Sequence, residues 1–167
     1  MLDFDMVASP NYARQVYDGD GSEAGNPTGP DGSGLIESLF NTWFDGQGQA
    51  HEPIPFDGRS DYVAFTNAGI PAGGIFTGAE KLKTAEEQAM FGGTVGLALD
   101  PCYHQACDTI NNLNLTALGE MKNAAADVLY QLMLTRNAIV NGGSIKPGKN
   151  KQITPDNSTF IGHKPIR

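Results

Sequence analysis

Ten residues, 100–109, concentrate the most chemically versatile side chains of the sequence. They hold both cysteines, Cys102 and Cys107, one of the three histidines, His104, and Tyr103. A short disulfide loop would present the imidazole and the phenol rigidly, which suits a metal ligand with an oxyanion-stabilising partner. The alternative is a disulfide that staples the chain and carries two incidental polar residues. The local sequence leaves both interpretations open.

The charge of the chain is acidic and unevenly placed. The 167 residues correspond to one domain able to bury a core, and their net charge is -8. Residues 144–167 carry five of the eleven Lys and Arg residues and one acid, which leaves six basic and 18 acidic residues in 1–143. We therefore predict a domain over 1–143 and a basic tail or extension over 144–167. Such an acidic domain is a poor nucleic-acid binder but tolerates metal ions and protonated amines.

The sequence also indicates the cellular compartment. No apolar run approaches the about 18 residues that span a bilayer, so we expect no membrane partner. Two cysteines with four residues between them fit a disulfide better than a C-x-x-C redox or zinc pair. Because disulfides persist in oxidising surroundings, we expect a secreted or extracellular protein.

Short apolar runs alternate with helical periods, which is typical of an α/β domain. We predict strands over residues 2–8 and 13–17, followed by a loop over 18–32 that is rich in Gly, Pro and Asp. An edge strand is expected near 51–55. The apolar, glycine-rich segment 70–78 fits a buried parallel strand whose end lets something approach the backbone.

Helical periodicity predicts four helices. The first carries one apolar stripe and could be capped by Ser33; its stripe comprises Leu35, Ile36, Leu39, Phe40, Trp43 and Phe44. The other three are expected to start within 60–68, to run from a capping box at Thr84 to Gly92, and to cover 116–141 with Gly142 as C-cap.

The carboxyl ends of the strands are the place to look for chemistry in an open α/β sheet. Asp5 lies in the first apolar strand, where an acid is costly to bury unless it is paired or binds metal, although a strand-end acid facing water is an equal alternative. Arg59 could hold a carboxylate or turn the chain. Turn or cap roles are expected for Asp57, Asp61, Asp100 and Asp108, and solvent exposure for His51 and His163.

Four blocks of the sequence, in order and spacing, resemble the secreted co-catalytic di-zinc aminopeptidases of the aminopeptidase Y type. The blocks are residues 2–11 (LDFDMVASPN), 56–62 (FDGRSDY), 68–80 (AGIPAGGIFTGAE) and 100–108 (DPCYHQACD). The resemblance covers roughly residues 1–135. It implies a zinc-exopeptidase fold, a mixed β-sheet flanked by helices, of which this chain is the C-terminal part only, and removal of N-terminal residues from peptides.

The resemblance also implies roles for individual residues. Asp5 and His104 match two of five zinc ligands, one on each of two zinc ions, and Tyr103 matches the tyrosine that stabilises the tetrahedral intermediate. Gly58 and Arg59 match a segment that contacts the backbone of a peptide with a free N-terminus. The remaining matches are Phe76 with a wall of the side-chain pocket, and Cys102 and Cys107 with a disulfide. Paired zinc ions lower the pKa of a bound water and clamp the nucleophile and the carbonyl oxygen.

Three blocks of the family are missing: the His-x-Asp block, the bridging aspartate and the catalytic Glu-Glu block. Residues 86–87 cannot supply the last, because they follow the glycine-rich strand and have the spacing of a helix start. We therefore expect the C-terminal half of such an enzyme, inactive alone and dependent on its N-terminal half. The alternatives are a non-catalytic binding or receptor module of the same fold, and a glutaminyl cyclase-like enzyme.

Overall fold

The computed structural model describes residues 1–23 and 25–134. The chain forms an α/β fold with short strands and longer helices. The strands are β1 (Leu2–Asp3), β2 (Gln15–Tyr17), β3 (Glu52–Ile54) and β4 (Gly73–Phe76). The helices are α1 (Ser33–Gly46), α2 (Val63–Asn67), α3 (Ala85–Phe91) and α4 (Leu115–Leu134).

The four strands form one mixed sheet in the order β1-β4-β2-β3. β1 runs parallel to β4, with Leu2 opposite Gly73, and β2 runs parallel to β3. β2 and β4 are antiparallel, with Gln15 opposite Phe76. The predicted mixed sheet is confirmed, β3 is an edge strand as expected, and β4 lies inside the sheet.

The main core lies between one face of the sheet and the helices α1 and α4. Val16 of β2 and Ile75 of β4 point into it, and the rest of this cluster is Ile36, Phe40, Phe44, Met121, Ala124 and Val128. Burial of each large apolar side chain contributes about 1.5–3 kcal/mol. Because successive strand residues face opposite sides, Tyr17 packs on the other face with Tyr62 and Ala72.

Several predicted boundaries are wrong. β1 ends at Asp3 instead of residue 8, because Met6 adopts a left-handed φ of 48° that extended backbone does not permit. Ser33 does not cap α1: Gly32 occupies the cap position with φ 100°, and the Ser33 hydroxyl accepts a hydrogen bond from the Ala72 N–H at 3.1 Å. β2 begins at Gln15 instead of residue 13, whereas α2 begins at Val63, within the expected range 60–68.

The capping box at Thr84 is confirmed, and α3 ends before Gly92 as expected. α4 begins at Leu115, where the Asn114 carboxamide oxygen accepts from the N–H groups of Thr116 and Ala117. The expected end of this helix near 141, the cap at Gly142, His163 and the tail 144–167 lie outside the described residues.

His51 corrects another expectation. Its side chain is 17% exposed instead of solvent-exposed, and its ring stacks on Phe44 with the centroids 5.5 Å apart. The residue supports the main core and lies away from the predicted chemistry, since it is absent from the cleft described below.

Candidate active site

A cleft of about 240 Å³ opens at the carboxyl ends of β1 and β4. It is lined by four of the residues singled out from the sequence: Asp5, Arg59, Phe76 and Tyr103. Gly58 and His104 are not among its lining residues, although each is the chain neighbour of one that is. Because β1 and β4 are parallel, the segments that follow them emerge at the same edge of the sheet, which brings the first and third sequence blocks together.

Asp5 lies just beyond β1 and is exposed. The argument that a strand acid must be buried applies instead to Asp3, which is 5% exposed and whose Oδ2 atom has no hydrogen-bond partner among the described residues. Burial, together with the nearby Asp5 carboxylate, raises the pKa of Asp3. The carboxylate that lines the cleft is therefore that of the exposed Asp5, whereas the Asp3 carboxylate is buried.

The turn before α2 is organised by the buried Tyr62. The Tyr62 hydroxyl accepts a hydrogen bond from the Gly58 N–H at 2.7 Å and donates to Asp57 Oδ1 at 3.1 Å. Asp57 also accepts from the Arg59 N–H at 3.0 Å, so the predicted turn role of this acid is confirmed. Gly58 has a φ of 86°, a conformation that favours glycine. This turn presents the next two side chains, Arg59 and Ser60, to the cleft.

Both of those side chains contact acids from other parts of the chain. Ser60 Oγ donates a hydrogen bond to Asp5 Oδ2 at 2.9 Å. Arg59 forms an ion pair with Glu80 at 2.6 Å, and this hydrogen bond raises the pKa of Arg59. Both members of the pair are more than half exposed, so the pair contributes about 1 kcal/mol or less to stability and acts mainly on the position of Arg59.

The loop of residues 102–107 is closed by the expected disulfide between Cys102 and Cys107, with the Cα atoms 5.4 Å apart. Inside it the rings of Tyr103 and His104 stack with centroids 4.0 Å apart, and His104 adopts a φ of 55°. The imidazole is exposed and the phenol reaches the cleft. The disulfide is therefore present, and the loop that it closes holds the Tyr103 and His104 rings side by side.

Two further acids behave as the sequence predicts around this loop. Asp100 Oδ1 accepts from the Cys102 N–H and from the Asn112 side chain, each at 2.9 Å. Asp108 Oδ1 accepts from the same Asn112 side chain at 3.2 Å. These contacts are those of turn and cap residues.

Asp5 and His104 offer a carboxylate and an imidazole, both of which are common zinc ligands. Neither belongs to a group of three His, Cys, Asp or Glu residues close enough to share an ion within residues 1–23 and 25–134. The donor types fit zinc, but these residues fit only as part of a larger ligand set.

The group of three acids that does occur is Asp18, Asp20 and Glu37, whose carboxylate atoms lie within 4.8 Å of one another. Asp18 and Glu37 accept hydrogen bonds from backbone N–H groups of residues 19–23. The sequence analysis placed Asp18 and Asp20 in a loop and did not group them with Glu37. These hydrogen bonds show that the Asp18 and Glu37 carboxylates fix the backbone of this loop.

Sequence reasoning also missed Ser60 and Glu80 as site residues. Both stand inside the blocks that carry the family resemblance, which was the available signal. Their contacts join residues 55 and 21 positions apart, which no local pattern encodes.

Within the described part of the chain, no helix is long and apolar enough to cross a membrane.

Comparison with known proteins identifies the relatives of this chain. Leucine aminopeptidase 2 of Arthroderma otae is 56% identical over 117 residues, which cover 70% of this chain and 23% of that protein. An aminopeptidase of Pseudomonas aeruginosa strain UCBPP-PA14 is 49% identical over 138 residues, covering 83% of this chain and 26% of that protein. The chain thus spans about a quarter of the length of these relatives.

A solved structure shares the fold. BSAP, a zinc aminopeptidase from Bacillus subtilis, superimposes with a TM-score of 0.54 at 19% identity, covering 78% of this chain and 27% of that one. The sequence pattern of peptidase family M28 matches residues 1–129. The expected relationship to the metallo-aminopeptidases is thereby confirmed: this chain belongs to peptidase family M28.

Proposed function

We propose that this chain is the C-terminal half of a zinc-dependent aminopeptidase, which hydrolyses N-terminal residues from peptides. The observation that carries the proposal is the cleft in which Asp5, Arg59, Phe76 and Tyr103 meet at the carboxyl ends of β1 and β4. The names of the curated relatives support the reaction, and the family membership of residues 1–129 supports its metal dependence.

The proposed roles follow from position and chemistry. Asp5 and His104 hold zinc, one on each of two ions. Zinc, when bound, lowers the pKa of a water and polarises the scissile carbonyl. The Tyr103 hydroxyl donates a hydrogen bond to the oxygen that becomes negative in the transition state. The disulfide loop holds the ring that carries this hydroxyl.

The substrate is positioned by the other wall of the cleft. Gly58 and Arg59 contact the peptide backbone, with the guanidinium held by Glu80. Phe76, at the end of β4, forms one wall of the pocket for the first side chain. The carboxylates at the cleft attract the protonated α-amino group, because opposite charges gain most where water is partly excluded.

The catalytic glutamate and three zinc ligands come from an N-terminal half, and residues 1–143 fold with it into one catalytic domain that carries a basic extension at 144–167. Two observations support this division. The chain covers 23–26% of its curated relatives. In the described residues β1 pairs only with β4, so its outer edge is available to another strand, and Phe4 beside it is 39% exposed. We expect the chain alone to hydrolyse no peptide.

We further propose that the protein is secreted. The disulfide between Cys102 and Cys107 supports an oxidising compartment. The partner is then an extracellular peptide, and neither nucleic acid nor membrane is expected to bind.

The relatives named aminopeptidases favour this activity over a receptor module or a glutaminyl cyclase. Product analysis of the chain combined with the upstream half of its domain, on peptides that begin with Gln, distinguishes the three. Release of free Gln indicates the peptidase, a cyclised N-terminus indicates the cyclase, and an unchanged peptide indicates the receptor.

The test is reconstitution. The chain is mixed with the upstream half of its domain and zinc, and hydrolysis of leucine 4-nitroanilide is followed. We expect activity in the mixture and none with either half alone, and loss of activity in Asp5→Ala and His104→Ala. Asp31→Ala, which removes another exposed carboxylate, is the matched control and should keep the activity. A mixture no more active than its components would contradict the proposal.

A further inference from the structure

We propose that Gln15 forms the far end of the pocket for the first substrate side chain and selects a cationic one, that of an N-terminal lysine. The inference rests on the proposed function, since it takes Phe76 as a wall of that pocket. The sequence analysis placed Gln15 in a strand and gave it no role in the site.

Gln15 stands beside Phe76 on the face of the sheet that borders the cleft. The two residues are opposite each other on the antiparallel strands β2 and β4, and both line the cleft. Side chains paired in this way share one face, with their Cβ atoms roughly 4.5–5.5 Å apart. On its other side, Gln15 is opposite Glu52 of β3. One row across the sheet therefore changes from an aromatic ring to an amide and then to a carboxylate.

The Gln15 side chain is held in one orientation. The residue is 2% exposed, and its Nε2 atom donates a hydrogen bond to Glu52 Oε1 at 2.6 Å. An ionised carboxylate only accepts hydrogen bonds, so this contact fixes which end of the amide faces Glu52. The other end, the Oε1 acceptor, is left for a donor in the cleft that Gln15 lines.

The charges behind this amide favour a cation. Glu52 and the buried Glu87 both lie near Lys81, whose Nζ atom is 2.9 Å from Glu87 Oε1 and 3.9 Å from Glu52 Oε1. The two carboxylates together carry more charge than this one ammonium neutralises, and Glu52 is the more distant of them. Burial and the neighbouring Glu87 carboxylate raise the pKa of Glu52, and a second cation nearby would favour its ionised form.

A lysine side chain matches this row of residues. Its apolar four-carbon stem can pack on the Phe76 ring, while its ammonium, which only donates, bonds to the Gln15 amide oxygen. Norleucine has the same stem without the ammonium, so it leaves that oxygen without a donor. A hydrogen bond that involves a charged group should favour lysine over norleucine about 10–100-fold.

The experiment compares lysine 4-nitroanilide with norleucine 4-nitroanilide on the reconstituted protein, this chain with the upstream half of its domain and zinc. The measured quantity is the ratio of the two kcat/KM values. Both substrates meet the same preparation, so a loss of folded protein cancels in the ratio.

Two variants test the far end of the pocket. Gln15→Met keeps an unbranched side chain of similar size and removes the amide. Glu52→Gln removes the charge and keeps an acceptor for the Gln15 amide. The control is Gln47→Met, since Gln47 is exposed at the C-terminal end of α1.

We expect the wild type to favour lysine about 10–100-fold, Gln15→Met to bring the ratio close to one, and Gln47→Met to leave it unchanged. Glu52→Gln should lower the ratio about fivefold, and it decides the question if Gln15→Met gives no active protein.

A wild-type ratio of one or less would overturn this inference, as would a ratio that the decisive variant leaves unchanged. Hydrolysis of leucine 4-nitroanilide in the same experiment would leave the proposed function standing. If the wild type hydrolyses none of the three amides, the proposed function falls and this inference falls with it.

Discussion

The replacement Tyr62→Phe removes one hydroxyl from the turn that carries Gly58, Arg59 and Ser60. That hydroxyl makes two hydrogen bonds, accepting from the Gly58 N–H at 2.7 Å and donating to Asp57 Oδ1 at 3.1 Å. The aromatic ring remains, so its packing against Tyr17, with centroids 5.0 Å apart, should be kept. The change therefore isolates the two hydrogen bonds from the burial of the ring.

The size of the effect follows from these partners. The bond from the backbone N–H contributes about 1 kcal/mol net, and leaving this part-buried donor unpaired adds to the loss. The bond to the charged Asp57 would contribute about 1.5–3 kcal/mol if buried, but the exposure of this carboxylate to solvent reduces it to about 1 kcal/mol. We expect a total loss of about 2 kcal/mol in the free energy of unfolding, or about 1 M in the urea midpoint.

Equilibrium urea unfolding of the chain, followed by the fluorescence of its single tryptophan, measures this loss. Trp43 reports on the core because it packs against Phe44 with ring centroids 5.1 Å apart. The matched control is Tyr130→Phe, since Tyr130 is 60% exposed on α4, and it should change the stability by less than about 0.5 kcal/mol. Equal midpoints for Tyr62→Phe and the wild type would refute the claim that this hydroxyl organises the turn.

Three further predictions concern other parts of the chain. Thr84→Ala removes the capping box with Glu87 at the start of α3 and should cost about 1 kcal/mol in urea unfolding; a change below about 0.3 kcal/mol would contradict it. Burial acts to raise the pKa of Asp18, but hydrogen bonds from Asn26 and from backbone N–H groups outweigh it and lower the pKa below its ordinary 3.8. The ionised Asp18 therefore stabilises the fold above about pH 4, and this contribution is lost as the pH falls through the folded-state pKa; Asp18→Asn should flatten the acid limb of stability measured against pH, and an unchanged limb would count against it. In the reconstituted enzyme, Phe76→Ala should change the ratios of kcat/KM among Leu, Phe and Met amides, and constant ratios would remove Phe76 from the pocket.

The long helices were predictable because their apolar periodicity and their packing agree. In α1 the residues Ile36, Phe40 and Phe44 are buried where the stripe places them. The first strand was not predictable in length. Its apolar run continues to residue 8, but the left-handed φ of Met6 ends the strand early, and the hydrogen bond between the Met6 carbonyl and Thr77 depends on a segment 71 residues away.

The same distinction holds for the candidate site. That Asp5 and Phe76 would share a site was expected from the family resemblance alone, which makes one a zinc ligand and the other a pocket wall, and both line the cleft. The contact of Ser60 with Asp5 and that of Glu80 with Arg59 could not be read from the sequence, because each depends on the exact path of two loops. His51 shows the opposite error: a histidine in a loop-like segment was expected in solvent, but a neighbouring aromatic residue covers it.

Anomalous diffraction at the zinc absorption edge, from crystals of the reconstituted protein grown with zinc, tests the central claim most directly. We predict two zinc peaks, one in contact with the Asp5 carboxylate and the other with the His104 imidazole. Zinc bound only at the Asp18, Asp20 and Glu37 carboxylates, or no zinc beside Asp5 and His104, would contradict the claim.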